Sequence, residues 1–293
     1  MKYKASVGDI IFRILNYTLL ILFGLTMLYP LVYTLSMSLS SAAEAARSGL
    51  HLYPRDVSLT AYKMVFSNTT FYRAYAMTIM RTVVGTVGAL LVSAMYGYAV
   101  AQKELPFRKF FTLFLMLTMI FTGGTIPTYL VIKGINLLDN PLVYILPNLI
   151  GAYNVVILKN YFESIAPSIY ESGRLDGAGE FTILLRIILP ISTPVMATVA
   201  LWIAVFHWNQ WFDSMIYTQT DRLQVLQLDL QRIIKQNQAS LISGGLANPN
   251  LDEFSGETVK SATIMVSILP ILAVYPFIQK YFTKGIMLGS VKG

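Results

Sequence analysis

The chain alternates between long stretches without charged residues and shorter stretches that hold all of its charge. Six windows of at least 19 residues contain no Asp, Glu, Lys or Arg, and they cover residues 14–43, 82–102, 110–132, 140–158, 187–212 and 261–279. A helix needs about 20 mainly apolar residues to cross the hydrocarbon core of a membrane. The pattern predicts an all-α polytopic membrane protein whose six transmembrane helices form one domain over residues 1–293.

Composition and charge support a membrane protein and exclude several functional classes. Hydrophobic residues make up 55% of the chain and charged residues only 13%, whereas about a quarter of an ordinary soluble domain is charged. The net charge is +7, but the lysines and arginines form no basic run and no basic helix face, so no nucleic-acid partner is expected. Cysteine is absent, which removes disulfides, thiolate metal sites and a cysteine nucleophile. We expect no metal site and no catalytic residue.

The lysines and arginines between the windows predict the orientation of the chain. Counted from the N-terminus, the odd-numbered intervening stretches hold 12 basic residues in 62 positions, and the even-numbered stretches hold 10 in 93. Cytoplasmic loops are richer in Lys and Arg, so both termini are expected in the cytoplasm. The first window is too long for the apolar part of a signal peptide, so we interpret it as the first span rather than a leader cleaved near Ala43.

The interior of the windows indicates a packed helix bundle rather than a simple anchor. Eight of the 12 prolines lie within windows, where the carbonyls they free must be satisfied by neighbouring helices or a water-lined cavity. Gly123 and Gly124 are expected to serve helix packing rather than a hinge. Arg73 and Arg81 precede the second window and are expected to reach the membrane interface. No buried charge is then predicted, and His207 alone is a poor proton relay, which argues against ion coupling.

Two further segments have a candidate role in transport. The fifth window closes with Trp208, Asn209, Gln210 and Trp211, which indicate an interfacial aromatic belt or, for part of the set, a substrate path suited to sugars. The following loop, residues 213–260, contains apolar residues at helical spacing between positions 223 and 234. Its amphipathic helix is expected either to dock an extracytoplasmic partner or to cap the bundle.

The loop over residues 159–186 carries helix start and stop signals. Pro167 and Ser168 open a short helix, and Ser168 and Glu171 are spaced as a capping box. Gly177 can take a positive φ and end that helix. A second helix, starting near Glu180, continues into the fifth window. The loop is thus expected to form a compact bent protrusion.

At this loop the sequence resembles a known family. Glu171-Ser172-Gly173, three residues, Gly177, nine residues and Ile187-x-Leu189-Pro190 resemble the EAA signature of binding-protein-dependent ABC importer permeases. Asp176-Gly177-Ala178 is similar to the D-G-A of the carbohydrate branch. The resemblance implies ATPase coupling through Glu171, Ser172, Gly173, Arg174, Asp176, Gly177, Ala178, Ile187, Leu189 and Pro190. Ser172 and Gly173 replace the alanines of the signature, and Gly in place of Ala loosens a helix by up to about 1 kcal/mol.

The resemblance covers most of the chain and implies a complete transport system. Residues 206–209 and the last ten residues are also similar to sugar permeases, most of all to the group for complex, often uronate-containing oligosaccharides, such as the second permease of bacterial alginate importers. A type I importer architecture with a cytoplasmic coupling helix would follow, in the bacterial cytoplasmic membrane. The implied partners are a second permease, two cytosolic ATPase subunits, an extracytoplasmic sugar-binding protein, the lipid bilayer and an oligosaccharide.

The chain has no nucleotide-binding motif of its own, and two other classes of membrane protein fit its sequence poorly. The chain contains no Gly-Lys dipeptide and hence no phosphate-binding loop, so ATP and Mg are expected on the partner ATPase and no cofactor on this chain. A polytopic membrane enzyme would need intramembrane acidic, Ser-Lys or His clusters, which the windows lack. A secondary sugar transporter fits poorly, because six spans without a detectable repeat are too few for the usual architecture.

Overall fold

The computed structural model describes residues 7–242 and 255–290. Within these ranges the chain is helical, and its only β feature is an isolated bridge between Ser40 and Val57. The fold divides into two compact units. In the described residues, one holds 7–69, 230–242 and 255–269, and the other holds 70–229 and 270–290. The expectation of a single domain stays a prediction.

The N-terminal part contains the first span and two short helices. Helix α1 covers Val7–Ser38 with Pro30 inside it, α2 covers Ala42–Ala45, and α3 covers Thr60–Ser67. The apolar side chains of α1 are exposed along most of its length, which suits a helix surrounded by lipid or by another membrane subunit. Ser41 caps α2 by accepting a hydrogen bond from the backbone N–H of Glu44, at 3.3 Å.

One continuous helix and two bent segments form the second, third and fourth spans. Helix α4 runs over Thr69–Ala101. Helices α5, Arg108–Ile120, and α6, Thr125–Gly134, meet at a bend of 118°. Two 3-10 turns at Pro141–Tyr144 and Leu146–Asn148 precede α7, Ala152–Ser164, with a bend of 46°.

The fifth span follows a short helix and is itself bent. Helix α8 covers Pro167–Leu175, and α9 covers Glu180–Ile183. A π-helical turn at Leu184–Ile188 leads into α10, Leu189–Ile191. Helix α11, Thr193–Asn209, then turns away by 87° from the segment that begins at Glu180. The fifth window therefore includes a sharp corner that its uniform hydrophobicity did not indicate.

The last part of the chain contains the segment between the fifth and sixth spans, and the sixth span itself. Helix α12 covers Phe212–Tyr217, a 3-10 turn covers Asp221–Leu223, and α13 covers Leu226–Ile242. The predicted amphipathic helix is thus confirmed from Leu226 onward, while residues 243–254 of the predicted 213–260 loop lie outside the described residues. Helix α14 covers Gly256–Ser290 and includes Pro270 and Pro276.

The number of spans agrees with the six charge-free windows. Among the described residues, three helices are long and apolar enough to cross a membrane, at Val7–Ser38, Thr69–Ala101 and Gly256–Pro276. Three bent pairs pass the same criterion together, so the total is six when each pair is counted as one span. The predicted all-α, six-span architecture is confirmed, with half of its spans broken.

The glycines of the third window mark a break, so the interpretation of them as packing residues was wrong. Gly124 precedes α6 with φ +81° and ψ 173°, a conformation that side-chain-bearing residues rarely adopt. A Cβ atom built on Gly124 would meet no atom of the described residues within 4 Å, so no described helix requires a glycine there. The residue is needed for backbone conformation.

We expect Gly124→Ala to destabilise the chain and Gly123→Ala to leave it nearly unchanged. Strain of this kind costs on the order of 1–3 kcal/mol. Gly123 has no positive φ, and an added Cβ would make only an ordinary contact at 3.8 Å with Pro127. The measurement is the thermal unfolding midpoint of the two purified variants in the same detergent. Equal midpoints would contradict a conformational requirement at Gly124.

Candidate functional site

The short helix of the coupling loop, residues 159–186, begins and ends through backbone geometry. Pro167 is the first residue of α8, where its missing N–H is not needed. The predicted capping box is wrong, because Ala166 occupies the capping position and no side chain caps the helix. Ser168 lies inside the first turn instead.

The predicted stop at Gly177 is confirmed. Gly177 has φ +79°. Its N–H donates to the carbonyl of Arg174 at 3.0 Å, and the N–H of Ala178 donates to the carbonyl of Gly173 at 3.0 Å. These two bonds form a Schellman motif, which satisfies the last carbonyls of a helix and requires a left-handed residue after it. The chain therefore reverses within two residues and sends Glu180 back toward α8.

Gly173 permits close packing inside the chain rather than at its surface. The residue is buried, and an added Cβ would lie 3.1 Å from Cδ1 of Ile187 and 3.2 Å from Cγ1 of Ile183. Ile183 belongs to a buried cluster that includes Tyr98 and Phe162, and Ile187 packs against that cluster. The second small position of the signature thus holds α8 against the start of the fifth span. The expectation that Gly173 allows contact with a partner needs this correction.

Arg174 is also engaged within the chain. Its Nε atom donates to Glu180 at 2.9 Å, and one of its terminal nitrogens donates to the amide oxygen of Gln102 at 3.2 Å. The Tyr98 hydroxyl donates to the other oxygen of Glu180 at 2.5 Å. This network ties α8 to α9 and to the end of α4. Sequence analysis had assigned Arg174 to a joint with another subunit and had missed Glu180 and Tyr98.

The remaining signature residues divide between the surface and the core. Glu171, Ser172, Asp176 and Pro190 are exposed, whereas Ala178, Ile187 and Leu189 pack against the buried cluster. Two exposed apolar side chains stand beside the acidic residues: Leu175 is 88% exposed and Phe181 62% exposed. Sequence analysis did not select them, although large apolar residues in a charged loop are a recognisable signal for a contact surface.

The residues of the predicted substrate path do not share one environment. Trp208 is buried and lies edge-on to Tyr75, with ring centroids 6.0 Å apart. Trp211 is half-buried against the cluster around Tyr144. Asn209 is exposed, and its amide nitrogen donates to the carbonyl of Val205 at 2.9 Å. Gln210 is half-buried and ends α11.

A buried charge pair next to this segment corrects the prediction that the spans hold none. Arg81 is fully buried rather than at the membrane interface, and it forms an ion pair with Asp213 at 2.6 Å. His207, which lies inside the fifth window, is buried as well. The charge-free windows could not reveal the pair, because Arg81 and Asp213 lie just outside the windows that they delimit.

The turn after α12 is held by an exposed carboxylate. Asp139 accepts hydrogen bonds from the N–H groups of Gln219 and Thr220, at 3.0 and 2.9 Å, and from the Thr220 hydroxyl. The hydroxyl and then the two N–H groups hold the pKa of Asp139 below its ordinary value. Its stabilising contribution is therefore present at neutral pH and is lost as the pH falls through the lowered pKa.

Comparison with known proteins defines the class of this chain. Residues 110–288, well over half of the sequence, match the family described as "Binding-protein-dependent transport system inner membrane component". The chain belongs to this family. It is the permease subunit of an ABC importer, and thus a transport subunit rather than an enzyme.

Two relatives extend over almost the whole chain. The polygalacturonan/rhamnogalacturonan transport system permease protein YtcP of Bacillus subtilis (strain 168) is 35% identical over 288 residues, which are 97% of this chain and 99% of the relative. Protein LplC of the same strain is 37% identical over 270 residues, 92% of this chain and 91% of the relative. The similarity therefore includes both the coupling loop and the N-terminal span.

Solved structures agree with the fold. A chain from the crystal structure of a bacterial ABC transporter involved in the import of the acidic polysaccharide alginate superposes with a TM-score of 0.86 at 34% identity, covering 95% of this chain and 99% of that one. A chain of a bacterial alginate ABC transporter in complex with alginate pentasaccharide-bound periplasmic protein gives a TM-score of 0.54 at 14% identity and supports the fold alone. The type I importer architecture is confirmed.

We expect Gly173→Val to destabilise the coupling loop, whereas Ser172→Val leaves it largely intact. A branched side chain at position 173 would overlap Ile183 and Ile187, and overpacking typically costs about 1–3 kcal/mol. Ser172 is exposed on the same helix, so the same substitution there meets no core side chain. Limited proteolysis of the purified variants measures the effect. Equal cleavage within residues 159–186 would show that Gly173 is not a packing position.

Proposed function

We propose that this permease imports oligosaccharides that contain uronic acids. The support is that YtcP is named for polygalacturonan and rhamnogalacturonan transport and the solved neighbour for alginate import, both of which are acidic polysaccharides. The similarity covers nearly the full length of each protein. A shared substrate chemistry in two relatives favours the acidic class over neutral sugars for this chain.

The proposed transport mechanism rests on the surface that the coupling loop presents. It presents Glu171 and Leu175 on α8, Asp176 directly after it and Phe181 on α9, all at the surface. The other side of α8 packs against the core through Gly173. An apolar tip beside charges fits a partner cleft, where apolar burial supplies affinity and the charges orient the contact. We assign the two cytosolic ATPase subunits as the partners of this surface and its equivalent on a second permease subunit.

The internal contacts of the loop explain how a push on α8 reaches the membrane. Arg174 and Glu180 connect α8 to α9 and α4, and Gly173 packs directly on Ile183 and Ile187. Packed cores transmit displacement because they have few voids to absorb it. Closure of the ATPase dimer would therefore move α8 together with the end of α4 and the start of the fifth span, and alternate the access to a central path.

The opposite side of the protein supplies the substrate-facing elements of the proposal. Asn209 and Gln210 are the accessible polar residues of the predicted path, while the buried Trp208 and half-buried Trp211 support the backbone around them. Helix α13 follows on the outer side and is assigned to contact an extracytoplasmic sugar-binding protein. The denser basic residues of the odd-numbered stretches support the assignment of both termini to the cytoplasm.

The substrate class is tested with the assembled importer in vesicles. We expect ATPase activity to be stimulated by galacturonate or alginate oligosaccharides bound to the cognate binding protein, and to remain basal with neutral oligosaccharides of the same length. The measurement is phosphate release for each sugar. Stimulation by the neutral series alone would refute the uronate assignment and leave the permease class unaffected.

The coupling assignment is tested with a pair of glycine variants. Gly177→Val places a β-branched residue at φ +79°, so we expect it to distort the end of α8 and reduce both ATPase association and uptake at least tenfold. Gly179→Val is the matched control, because Gly179 has an ordinary φ of −71° and open space around a Cβ. Asp176→Lys should act more mildly, since an exposed ion pair contributes about 0–1 kcal/mol.

Pull-down of the ATPase and uptake in reconstituted vesicles are measured for all three variants. Membrane insertion should be normal in each, because none of the substitutions lies in a span. Wild-type association and uptake for Gly177→Val would show that the coupling loop does not bind the ATPase. Equal losses for Gly177→Val and Gly179→Val would point to general sensitivity of the turn rather than to its left-handed residue.

A further inference from the structure

Arg81 is a charged residue held without solvent contact inside a membrane helix. It lies in α4, more than three turns from the helix start at Thr69, and its exposed fraction is 0%. A buried charge in a span is unfavourable unless paired and hydrogen-bonded, and such residues usually have a specific role. The contacts of Arg81 therefore indicate what it holds in place.

The Arg81 guanidinium bridges the two sides of the break between α11, which ends the fifth span, and α12. It forms a two-point contact with Asp213, at 2.6 and 3.1 Å, and donates to the backbone carbonyl of Gln210 at 3.2 Å. Gln210 ends α11, and Asp213 lies in the first turn of α12. The planar guanidinium suits this task, because its fixed fork binds a carboxylate with two bonds and still has donors left for the carbonyl.

Neighbouring residues hold the second side of the break. The ring of Tyr144 lies 4.5 Å from the guanidinium carbon of Arg81 and accepts the cation on its face. The Tyr144 hydroxyl donates to the carbonyl of Leu223 at 2.5 Å and accepts a hydrogen bond from the Ser214 hydroxyl at 3.0 Å. Three residues before Arg81 on α4, the Thr78 hydroxyl accepts the N–H of Leu226 at 2.9 Å.

We propose that Arg81 and Asp213 form a clamp that fixes the break between α11 and α12 and thereby positions residues 208–211 for transport. The clamp is more than charge compensation, because one of its bonds goes to the carbonyl freed at the end of α11. Arg81 and Asp213 are positioning residues, since neither is exposed enough to bind a sugar. The transport consequence rests on the proposed function, whereas the structural consequence does not.

A double substitution distinguishes the effect of losing the charge pair from the effect of losing the bond to the Gln210 carbonyl. Asp213→Asn alone leaves a buried cation without its carboxylate, and Arg81→Met alone leaves the carboxylate without its cation, so both single variants should express poorly. Arg81→Met with Asp213→Asn removes both charges and should restore insertion and thermal stability. It still lacks the bond to Gln210. Arg73→Met is the matched control, because Arg73 is an exposed residue of the same helix.

The chain has three tryptophans. Trp202 and Trp208 lie in α11, and Trp211 lies in the break between α11 and α12, so their fluorescence reports on this region directly. In a Trp202→Phe background, the purified full-length chain in nanodiscs is titrated with acrylamide. We expect the double variant to show at least twofold stronger quenching than wild type and Arg73→Met. In the assembled importer we expect uptake at least tenfold lower with normal ATPase association.

Wild-type quenching and uptake in the double variant would overturn the proposal and leave the pair as charge compensation. If the double variant does not insert, Arg81→Lys decides, because Lys keeps the charge but not the fork: unchanged quenching overturns the clamp, and increased quenching supports it. If the double variant shows stronger quenching but the wild-type importer transports no oligosaccharide, the proposed function is refuted and the clamp is retained.

Discussion

Inside a bilayer every backbone N–H and carbonyl must find its partner within the protein, and this constraint controls where the chain can turn. The structure breaks its spans repeatedly, and at each break a side chain donates to a carbonyl near it. Thr128 donates to Gly124 at 2.7 Å, Asn148 to Tyr144 at 3.3 Å and Thr193 to Pro190 at 2.7 Å. The protein thus supplies side-chain donors to carbonyls beside the corners of 118°, 46° and 87°.

The break after α11 uses the same solution with a charged donor. A neutral side chain would satisfy the Gln210 carbonyl at lower desolvation cost, but it would not also reach Asp213 and the face of Tyr144. The guanidinium joins three elements at one point. Buried ion pairs contribute little to net stability compared with apolar packing, so geometry is the better explanation for a charge at this position.

Sequence reasoning succeeded where local chemistry decides the structure and failed where distant residues do. Gly177 was predicted to end α8 because a positive φ at a helix end has few solutions, and the Schellman bonds confirm it. The start signal at Pro167 together with this stop likewise predicted the bent loop. Gly173 was misjudged because its constraint comes from Ile183 and Ile187, whose approach depends on how the chain returns after the turn. No local pattern encodes that approach.

The charge-free windows show that sequence reasoning also fails for ion pairs between distant residues. A window ends wherever a charge stands, so Arg81 and Asp213 were treated as boundaries of two spans. They are 132 positions apart in sequence, and their partnership becomes visible only when α4 lies beside α11 and α12. An arginine and an aspartate that each adjoin a different window are a signal for such a pair, although sequence alone does not say which windows are neighbours.

Helix α4 connects the two ends of the transport machinery. Near its end, Tyr98 and Gln102 contact the network of the coupling loop, and Arg81 and Thr78 hold the break after α11. Arg81 and Tyr98 are separated by 17 residues, roughly 26 Å along a helix axis. In the proposed mechanism, a displacement imposed at the coupling loop would reach the break after α11 without a hinge to absorb it, because α4 is unbroken over this distance. The fifth span would then move between its start at Glu180 and the break at Gln210, both of which contact the one continuous helix α4.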